Sequence, residues 1–190
     1  LTGKLEHPNI MTVHDIGINE SDEPYFTMEL KKGDSLEEIL AERQSGNQRY
    51  LNKYPREKLL EIFLKVCDAL SYAHAKQVIH LDLKPANIQV GEFGEVVVCD
   101  WGLGKLIADS DSAEFDALLF NPDLLNNMTL SGHIKGTPGF MAPEQIEANR
   151  DKDERTDIYA LGAILYSILT DCCPFEGSTQ EKMDSTLKSV

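Results

Sequence analysis

The stretch VIHLDLKPANIQV, residues 78–90, sets polar side chains between two apolar ends. The ends, at 78–79 and 88–90, hold residues of strand type and predict two short buried strands. Four polar side chains stand between them: His80, Asp82, Lys84 and Asn87. Polar groups are placed beside buried strands only where they have partners or a chemical task. The stretch therefore predicts a rigid loop that holds an acid, an ammonium group and an amide side by side.

The remaining pattern predicts a few strands followed mainly by helices. Two strands are expected on either side of a polar turn at 19–24, and Gly33 is expected to break the pattern. Ser35 and Glu38 form a capping box that starts a short helix. Further expected elements are a long helix from Pro55 to about Lys76, a strand at 95–99, helices at about 143–148 and 156–170, a partial helix at 179–189, and loops at 44–54 and 103–139. This order indicates an α+β fold.

The composition is that of a globular chain with an acidic surface. The 190 residues are 42% apolar and 26% charged, enough for one domain or for part of a larger one. The net charge of −14 argues against binding to nucleic acid or to anionic lipid, because both need a basic surface. No apolar run approaches the roughly 18 residues of a membrane span. We therefore expect no nucleic-acid partner and no membrane contact from this segment.

The cysteines and the chain ends add two further expectations. The four cysteines show no C-x-x-C spacing, which favours free thiols in a reducing cytosol and hence a cytoplasmic location. This expectation leaves open the possibility of a membrane anchor elsewhere in a longer protein. The chain opens at Leu1 without a Met and stops without a closing signal, so we expect a piece of a longer protein.

Two more motifs follow the polar stretch in a fixed order. Asp82 precedes Asn87 by five residues, Asp100 follows Asn87 by 13 residues in CDWG, and GTPGFMAPE spans residues 136–144. Alone, Asp82 and Asn87 would fit a pair of turn-capping residues. With the later motifs, the order H-x-D-L-x-x-x-N, D-x-G, A-P-E resembles the protein kinase family.

The resemblance implies a chemical role for each of these residues. Asp82 would accept the proton of a substrate hydroxyl or orient that hydroxyl, and Lys84 would offer positive charge to the transferring phosphate. Asn87 and Asp100 would bind Mg²⁺ through oxygen atoms. Lys84 and Thr137, the latter in GTPGF, are typical of serine/threonine kinases, and the chain is similar to bacterial kinases of the eukaryotic-like (Hanks) type. The resemblance thus implies ATP and Mg²⁺ as cofactors and a protein with Ser or Thr hydroxyls as the substrate.

The resemblance also divides the chain into parts. Residues 1–29 are similar to a remnant of the small lobe, with the end of its helix and its fourth and fifth strands. Residues 30–34 resemble the hinge, and residues 35–190 resemble the large lobe without its last helices. Met28 stands at the gatekeeper position. The residues expected to contact the nucleotide are Met28, Glu29, Leu30, Lys31, Gln89 and Cys99.

Two buried residues are expected to support the loop. Asp157, in TDIYALGAILYSILT, matches the Asp of a buried helix that braces the catalytic loop in the family. His80 could be taken for a general base, but the resemblance implies that it packs beneath Trp101.

Several positions depart from the family pattern. Leu81 stands where most such kinases have an Arg that grips a phosphate on the activation loop. Trp101 replaces the usual Phe, and the polar Gln89 stands where an apolar side chain lies under the adenine. The glycine-rich loop, the strand lysine and its partner glutamate do not occur in these residues; GEFGEV at 91–96 predicts a hairpin turn instead. The Arg that would pair with Glu144 is also absent.

These departures shape the expected function. The leading interpretation is a serine/threonine protein kinase, with the 190-residue segment inactive by itself. The alternative is a catalytically dead kinase-fold scaffold that binds protein partners. A small-molecule phosphotransferase is a third possibility, against which the GTPGFMAPE segment argues. Apolar residues left without the rest of the small lobe would favour self-association: Ile10, Val13, Ile16 and Phe26.

Overall fold

The structure, a computed structural model, describes residues 5–19, 24–29, 32–101, 105–106, 139–147 and 152–188. Within these ranges small antiparallel sheets precede and flank a set of helices, so the fold is α+β as predicted. The strands are β1 (Val13–Ile18), β2 (Pro24–Met28), β3 (Gly33–Ser35), β4 (Val78–Ile79), β5 (Ile88–Gly91), β6 (Val96–Val98) and β7 (Lys105–Leu106). The helices are α1 (Leu36–Gln44), α2 (Gln48–Lys53), α3 (Arg56–Ala75), α4 (Pro143–Ile146), α5 (Glu154–Thr170) and α6 (Thr179–Lys188).

The first two strands form a hairpin of their own. β1 and β2 are antiparallel, with a register that runs from Val13 opposite Met28 to Ile18 opposite Pro24. The segment just before β1 joins the rest of the molecule through β6, because Met11 N–H donates to the Val98 carbonyl at 2.9 Å. The hairpin is thus attached at its base to the sheet that carries the polar loop.

The two other sheets frame the polar loop. β3, β5 and β6 form one sheet in that order, and β4 pairs with β7 in another, so the loop leaves one sheet at β4 and enters the other at β5. The β3–β5 pairing needs a glycine at position 33. Gly33 has φ +147°, and a Cβ there would lie 2.1 Å from the Val90 carbonyl oxygen. Gly33 therefore lets two backbones approach at the point where the chain enters α1.

The helices begin at residues with clear local signals and bury their apolar faces together. Ser35 and Glu38 form the predicted capping box of α1, with Ser35 N–H donating to the Glu38 carboxylate at 2.7 Å. α3 and α5 pack against each other around the core. The apolar residues of α3 and α5 that lie fully inside are Leu59, Ile62, Val66, Ala69, Leu70, Ala73, Ile164 and Ile168. Burial of this kind contributes roughly 1.5–3 kcal/mol per large apolar side chain.

Several sequence expectations are confirmed with shifted boundaries. The long helix starts at Arg56 with Pro55 as its N-cap, not as its first helical residue. GEFGEV forms a turn, since Gly91 N–H donates to the Glu95 carbonyl at 2.8 Å. All four cysteines are free.

Among the described residues, no helix combines the length and apolar character that crossing a membrane requires.

Other expectations are wrong. Residues 48–53 form α2, although 44–54 had the polarity of a loop, because Asn47 caps the helix by accepting from Arg49 N–H at 3.1 Å. Gly33 lies in a strand and does not break the pattern. β7 lies inside the segment 103–139 that predicted only a loop. Ile10 is buried against the core, with 3% of its surface exposed, so it is not part of an uncovered apolar surface.

Candidate functional site

The backbone of the polar loop after β4 is hydrogen-bonded to one buried carboxylate. Asp157, on α5, is 1% exposed and accepts from the backbone N–H groups of His80 at 2.8 Å and Leu81 at 3.0 Å. The ring Nε2 of His74 on α3 lies 2.8 Å from the same carboxylate. A buried carboxylate is tolerated only with such partners. The expectation that Asp157 braces the loop is therefore confirmed.

His80 is a structural residue of this loop. It is fully buried, and its Nε2 lies 3.0 Å from the Cys99 carbonyl while Asp82 N–H points at its Nδ1 at 3.3 Å. Burial lowers the pKa of His80, against the pull of Asp157 and other nearby carboxylates. A neutral ring with its proton on Nε2 satisfies both contacts. The ring centroid lies 4.6 Å from that of Trp101, so the predicted packing of His80 beneath Trp101 is confirmed.

The Lys84 and Asn87 side chains both contact Asp82. Lys84 Nζ is 2.9 Å from Asp82 Oδ2, with side chains 22% and 11% exposed. Asn87 Nδ2 donates to the Asp82 carbonyl at 2.8 Å and approaches Asp82 Oδ2 at 3.4 Å. A 3₁₀ turn at Pro85–Asn87 closes the loop. The acid, the ammonium group and the amide thus form one cluster, as the opening stretch predicted.

Asp100 lies beside the loop, two residues after the end of β6. Cys99 N–H donates to the Asn87 backbone carbonyl at 2.8 Å, so Asp100 is one residue away from a direct bond to the loop. Asp100 adopts φ +58°, in the left-handed region, and its side chain is exposed. Trp101 follows and is held by a hydrogen bond from its Nε1 to the Val98 carbonyl at 3.1 Å. The turn presents the carboxylate to solvent beside the loop.

The predicted nucleotide-contacting residues are only partly described. Met28 ends β2 and is 44% exposed, and Glu29 follows it. Gln89 lies on β5 between Ser35 and Val97, on the opposite face from the buried Ile88 and Val90. The Cys99 thiol lies 3.6 Å from the Val97 carbonyl. Leu30, Lys31 and Thr137 lie outside the described residues.

Two side-chain contacts at the end of the A-P-E motif were not predicted from the sequence. Glu144, expected to lack an Arg partner, accepts instead from the hydroxyl of Thr156 at 2.7 Å. Gln145 donates to the Leu81 carbonyl at 2.7 Å. Both contacts join parts of the chain that are distant in sequence, so local periodicity carries no sign of them.

The oxygen donors at this site fit Mg²⁺ held together with a nucleotide. Asn87 uses its Nδ2 on Asp82, which leaves its Oδ1 as an acceptor, and Asp100 adds an exposed carboxylate. Among the described residues, no group of three or more His, Cys, Asp or Glu side chains is arranged to hold a metal ion. Mg²⁺ does not need one, because it is typically bound by one or two protein oxygens plus phosphate and water.

Comparison with known proteins agrees with the motifs. The family model described as "Protein kinase domain" matches residues 1–189. A serine/threonine-protein kinase PknD from Protochlamydia amoebophila is 37% identical over 190 residues, covering 96% of this chain and 19% of its own length. The proteins of the same name from Chlamydia muridarum and Chlamydia trachomatis serovar L2b are 36% and 38% identical over 100% and 96% of this chain, and 21% and 20% of their own lengths. The chain therefore spans about a fifth of the length of these relatives.

Proposed function

The chain belongs to the protein kinase domain family, and we propose that its protein is a serine/threonine kinase that transfers the γ-phosphoryl group of ATP to a protein hydroxyl. The observation that carries the proposal is the contact cluster of Asp82, Lys84 and Asn87, with Asp100 adjacent. The names of the relatives, all serine/threonine-protein kinases, support the same class of acceptor.

The cluster suits a reaction in which charge must be neutralised and one oxygen must be aimed. Asp82 would orient the acceptor hydroxyl and take its proton as the new O–P bond forms and the bond to the leaving ADP oxygen breaks. Lys84, 2.9 Å from Asp82, would contribute positive charge beside the transferring group. Their mutual contact holds both side chains ready on the same loop.

The cofactors we propose are ATP and Mg²⁺. When bound, Mg²⁺ would neutralise negative charge on the phosphates of ATP. Asn87 and Asp100 are the residues that would hold the metal ion. The nucleotide-binding site would be lined by Met28, Glu29, Leu30, Lys31, Gln89 and Cys99. Calorimetric titration of the full-length protein with Mg·ATP tests this part, and an absence of binding at millimolar nucleotide would favour the scaffold alternative.

The direct test of the proposed activity removes the general base. Asp82→Asn in the full-length protein is expected to lower the rate of phosphate transfer by roughly 10²–10⁴, the usual contribution of a positioned acid or base. The matched control is Asp68→Asn, at an exposed position of α3, which should leave the rate unchanged. Transfer at an undiminished rate by the Asp82→Asn protein would refute the proposal.

The 190-residue segment alone is proposed to be inactive. Its sequence contains no glycine-rich loop and no strand lysine, the groups that in the family hold the nucleotide phosphates. Single-turnover transfer by purified residues 1–190 would contradict this part without touching the rest.

Self-association of the segment is a further proposal. It would proceed through the β1–β2 hairpin, whose Ile18 and Tyr25 side chains are exposed. Light scattering at high protein concentration tests this, and a strictly monomeric segment would contradict it.

A further inference from the structure

Gln145 connects the turn after A-P-E with the loop that carries Asp82. Its Nε2 donates to the Leu81 carbonyl at 2.7 Å, and its Oε1 accepts from Ala142 N–H at 3.0 Å. One planar amide is thus bonded at both ends, to the loop and to its own turn. Because a planar amide bonded at both ends cannot rotate without breaking a bond, it sets the spacing of the two segments.

Leu81 is the loop residue that most needs such a partner. Its φ is +68°, a left-handed conformation that residues with side chains seldom keep unless their surroundings impose it. Its N–H donates to Asp157 Oδ1 at 3.0 Å, and its carbonyl accepts from Gln145. Both backbone polar groups of Leu81 are therefore held by side chains from other elements, one from α5 and one from α4.

A second contact closes a ring around the same residues. Glu144, the neighbour of Gln145, accepts from the Thr156 hydroxyl at 2.7 Å, and Thr156 precedes Asp157 on α5. The ring runs from Leu81 through Gln145, Glu144, Thr156 and Asp157 back to Leu81. Its members are half-buried or buried, so loss of one contact is not readily replaced by water. α4 and α5 thus both hydrogen-bond to the loop and to each other.

We propose that Gln145 is a positioning residue for phosphoryl transfer, an inference that rests on the proposed function of the chain. By holding the Leu81 carbonyl, Gln145 fixes the peptide plane that leads into Asp82, whose own N–H meets His80 Nδ1 at 3.3 Å. The link is a neutral amide contact, and the Leu81 side chain carries no charge. The connection between the A-P-E turn and the loop therefore forms without a phosphorylated residue.

The kinetic test uses Gln145→Glu in the full-length protein. This variant keeps the side-chain size and the acceptor for Ala142 N–H, but it sets a carboxylate oxygen against the Leu81 carbonyl. We expect kcat to fall about tenfold or more, the cost of losing one such contact. KM for Mg·ATP should stay within about twofold, because Asn87 and Asp100 are untouched. The matched control is Gln48→Glu, at an exposed position of α2, which should change neither value.

A second measurement stands independently of activity. Amide hydrogen exchange of the segment 80–84 should be faster in Gln145→Glu than in the wild-type protein and unchanged in Gln48→Glu. Gln145→Met, which removes both contacts without adding charge, should show the same acceleration. This variant provides the test if the carboxylate of Gln145→Glu prevents folding.

The outcomes separate this inference from the proposed function. Unchanged exchange at 80–84 in the Gln145 variants overturns the inference, as does faster exchange with an unchanged kcat. A wild-type protein that transfers no phosphate refutes the proposed kinase activity and with it a role in transfer, while the exchange result still shows whether Gln145 holds the loop.

Discussion

The loop at 80–87 and the β1–β2 hairpin are held in different ways. The loop is bonded to α5 through Asp157 and to α4 through Gln145, and its Asn87 carbonyl accepts from the N–H of Cys99, the residue after β6. The hairpin pairs mainly with itself, and Ile18 and Tyr25 are 66% and 44% exposed. An isolated two-stranded hairpin is only marginally stable in water. The position of the loop thus depends on a few buried polar partners, whereas the pairing described for the hairpin is between its own two strands.

The largest effect on the free energy of unfolding should come from removing Asp157, the carboxylate that accepts hydrogen bonds from the loop. Asp157→Ala leaves the N–H groups of His80 and Leu81 without their acceptor, and we expect a loss of about 3–5 kcal/mol in the free energy of unfolding. Urea denaturation measures it, with Asp68→Ala at an exposed position of α3 as the control. A loss no larger than that of the control would mean that the loop is held by other contacts.

The ion pair between the buried Arg43 and the partly buried Asp171 should also be costly to break. Arg43 on α1 is 6% exposed at its side chain, meets Asp171 at 2.8 Å and donates to the Tyr54 carbonyl at 2.6 Å. We expect Arg43→Ala to cost about 2–3 kcal/mol of unfolding free energy, because Asp171 and the carbonyl lose a charged donor. Arg155, 91% exposed and 3.9 Å from Asp153, is the control and should cost at most about 0.5 kcal/mol on replacement by Ala. Equal costs for the two substitutions would remove the distinction between buried and exposed partners.

The pH dependence of stability tests whether the loop requires a neutral His80. Since burial lowers the pKa of His80 below its ordinary 6.5, the unfolded chain binds the proton more readily than the folded one. The contribution of neutral His80 to the free energy of unfolding is therefore complete above pH 6.5 and is lost as the pH falls through the folded-state pKa. The free energy of unfolding should change by up to about 1.4 kcal/mol per pH unit in this range.

Urea denaturation between pH 8 and pH 5 measures this slope in wild type and in His80→Gln, which should lack it. His14→Gln, at an exposed position of β1, is the control and should keep it. Parallel pH curves for wild type and His80→Gln would contradict the prediction.

The smallest effect should come from the hairpin. Ile18→Thr replaces an apolar side chain that is 66% exposed, so we expect the unfolding free energy to change by less than about 0.5 kcal/mol. The same denaturation experiment measures it. A loss of several kcal/mol would show that Ile18 is covered in the protein, and the contrast between the hairpin and the loop would then fail.

Much of the fold could be predicted from local pattern. The steps of three and four in α3 and the Ser35–Glu38 capping box each act within a few residues, so the sequence reveals them. α2 was missed because its residues are polar and its contact with the rest of the protein, from the Tyr50 hydroxyl to Asp34 at 3.2 Å, joins positions 16 residues apart. β7 was missed because two residues form a strand only through pairing with β4.

The candidate site divides in the same way. The spacing of Asp82, Lys84 and Asn87 was visible because a single loop carries all three side chains. The contacts of Gln145 and of Thr156 with Glu144 were not, because each joins residues from separate elements. No period or motif in a single sequence encodes a contact between residues 64 positions apart, as Gln145 and Leu81 are.

The sequence by itself determined the family, the α+β class and the chemical groups on the loop, because these depend on residue type and short spacing. Only the tertiary structure decided how the loop is held. Asp157 and Gln145 reach Leu81 from two different helices and hold it in a left-handed conformation. Such a conformation is unfavourable for an isolated leucine, and it persists because folding brings both partners within hydrogen-bonding distance.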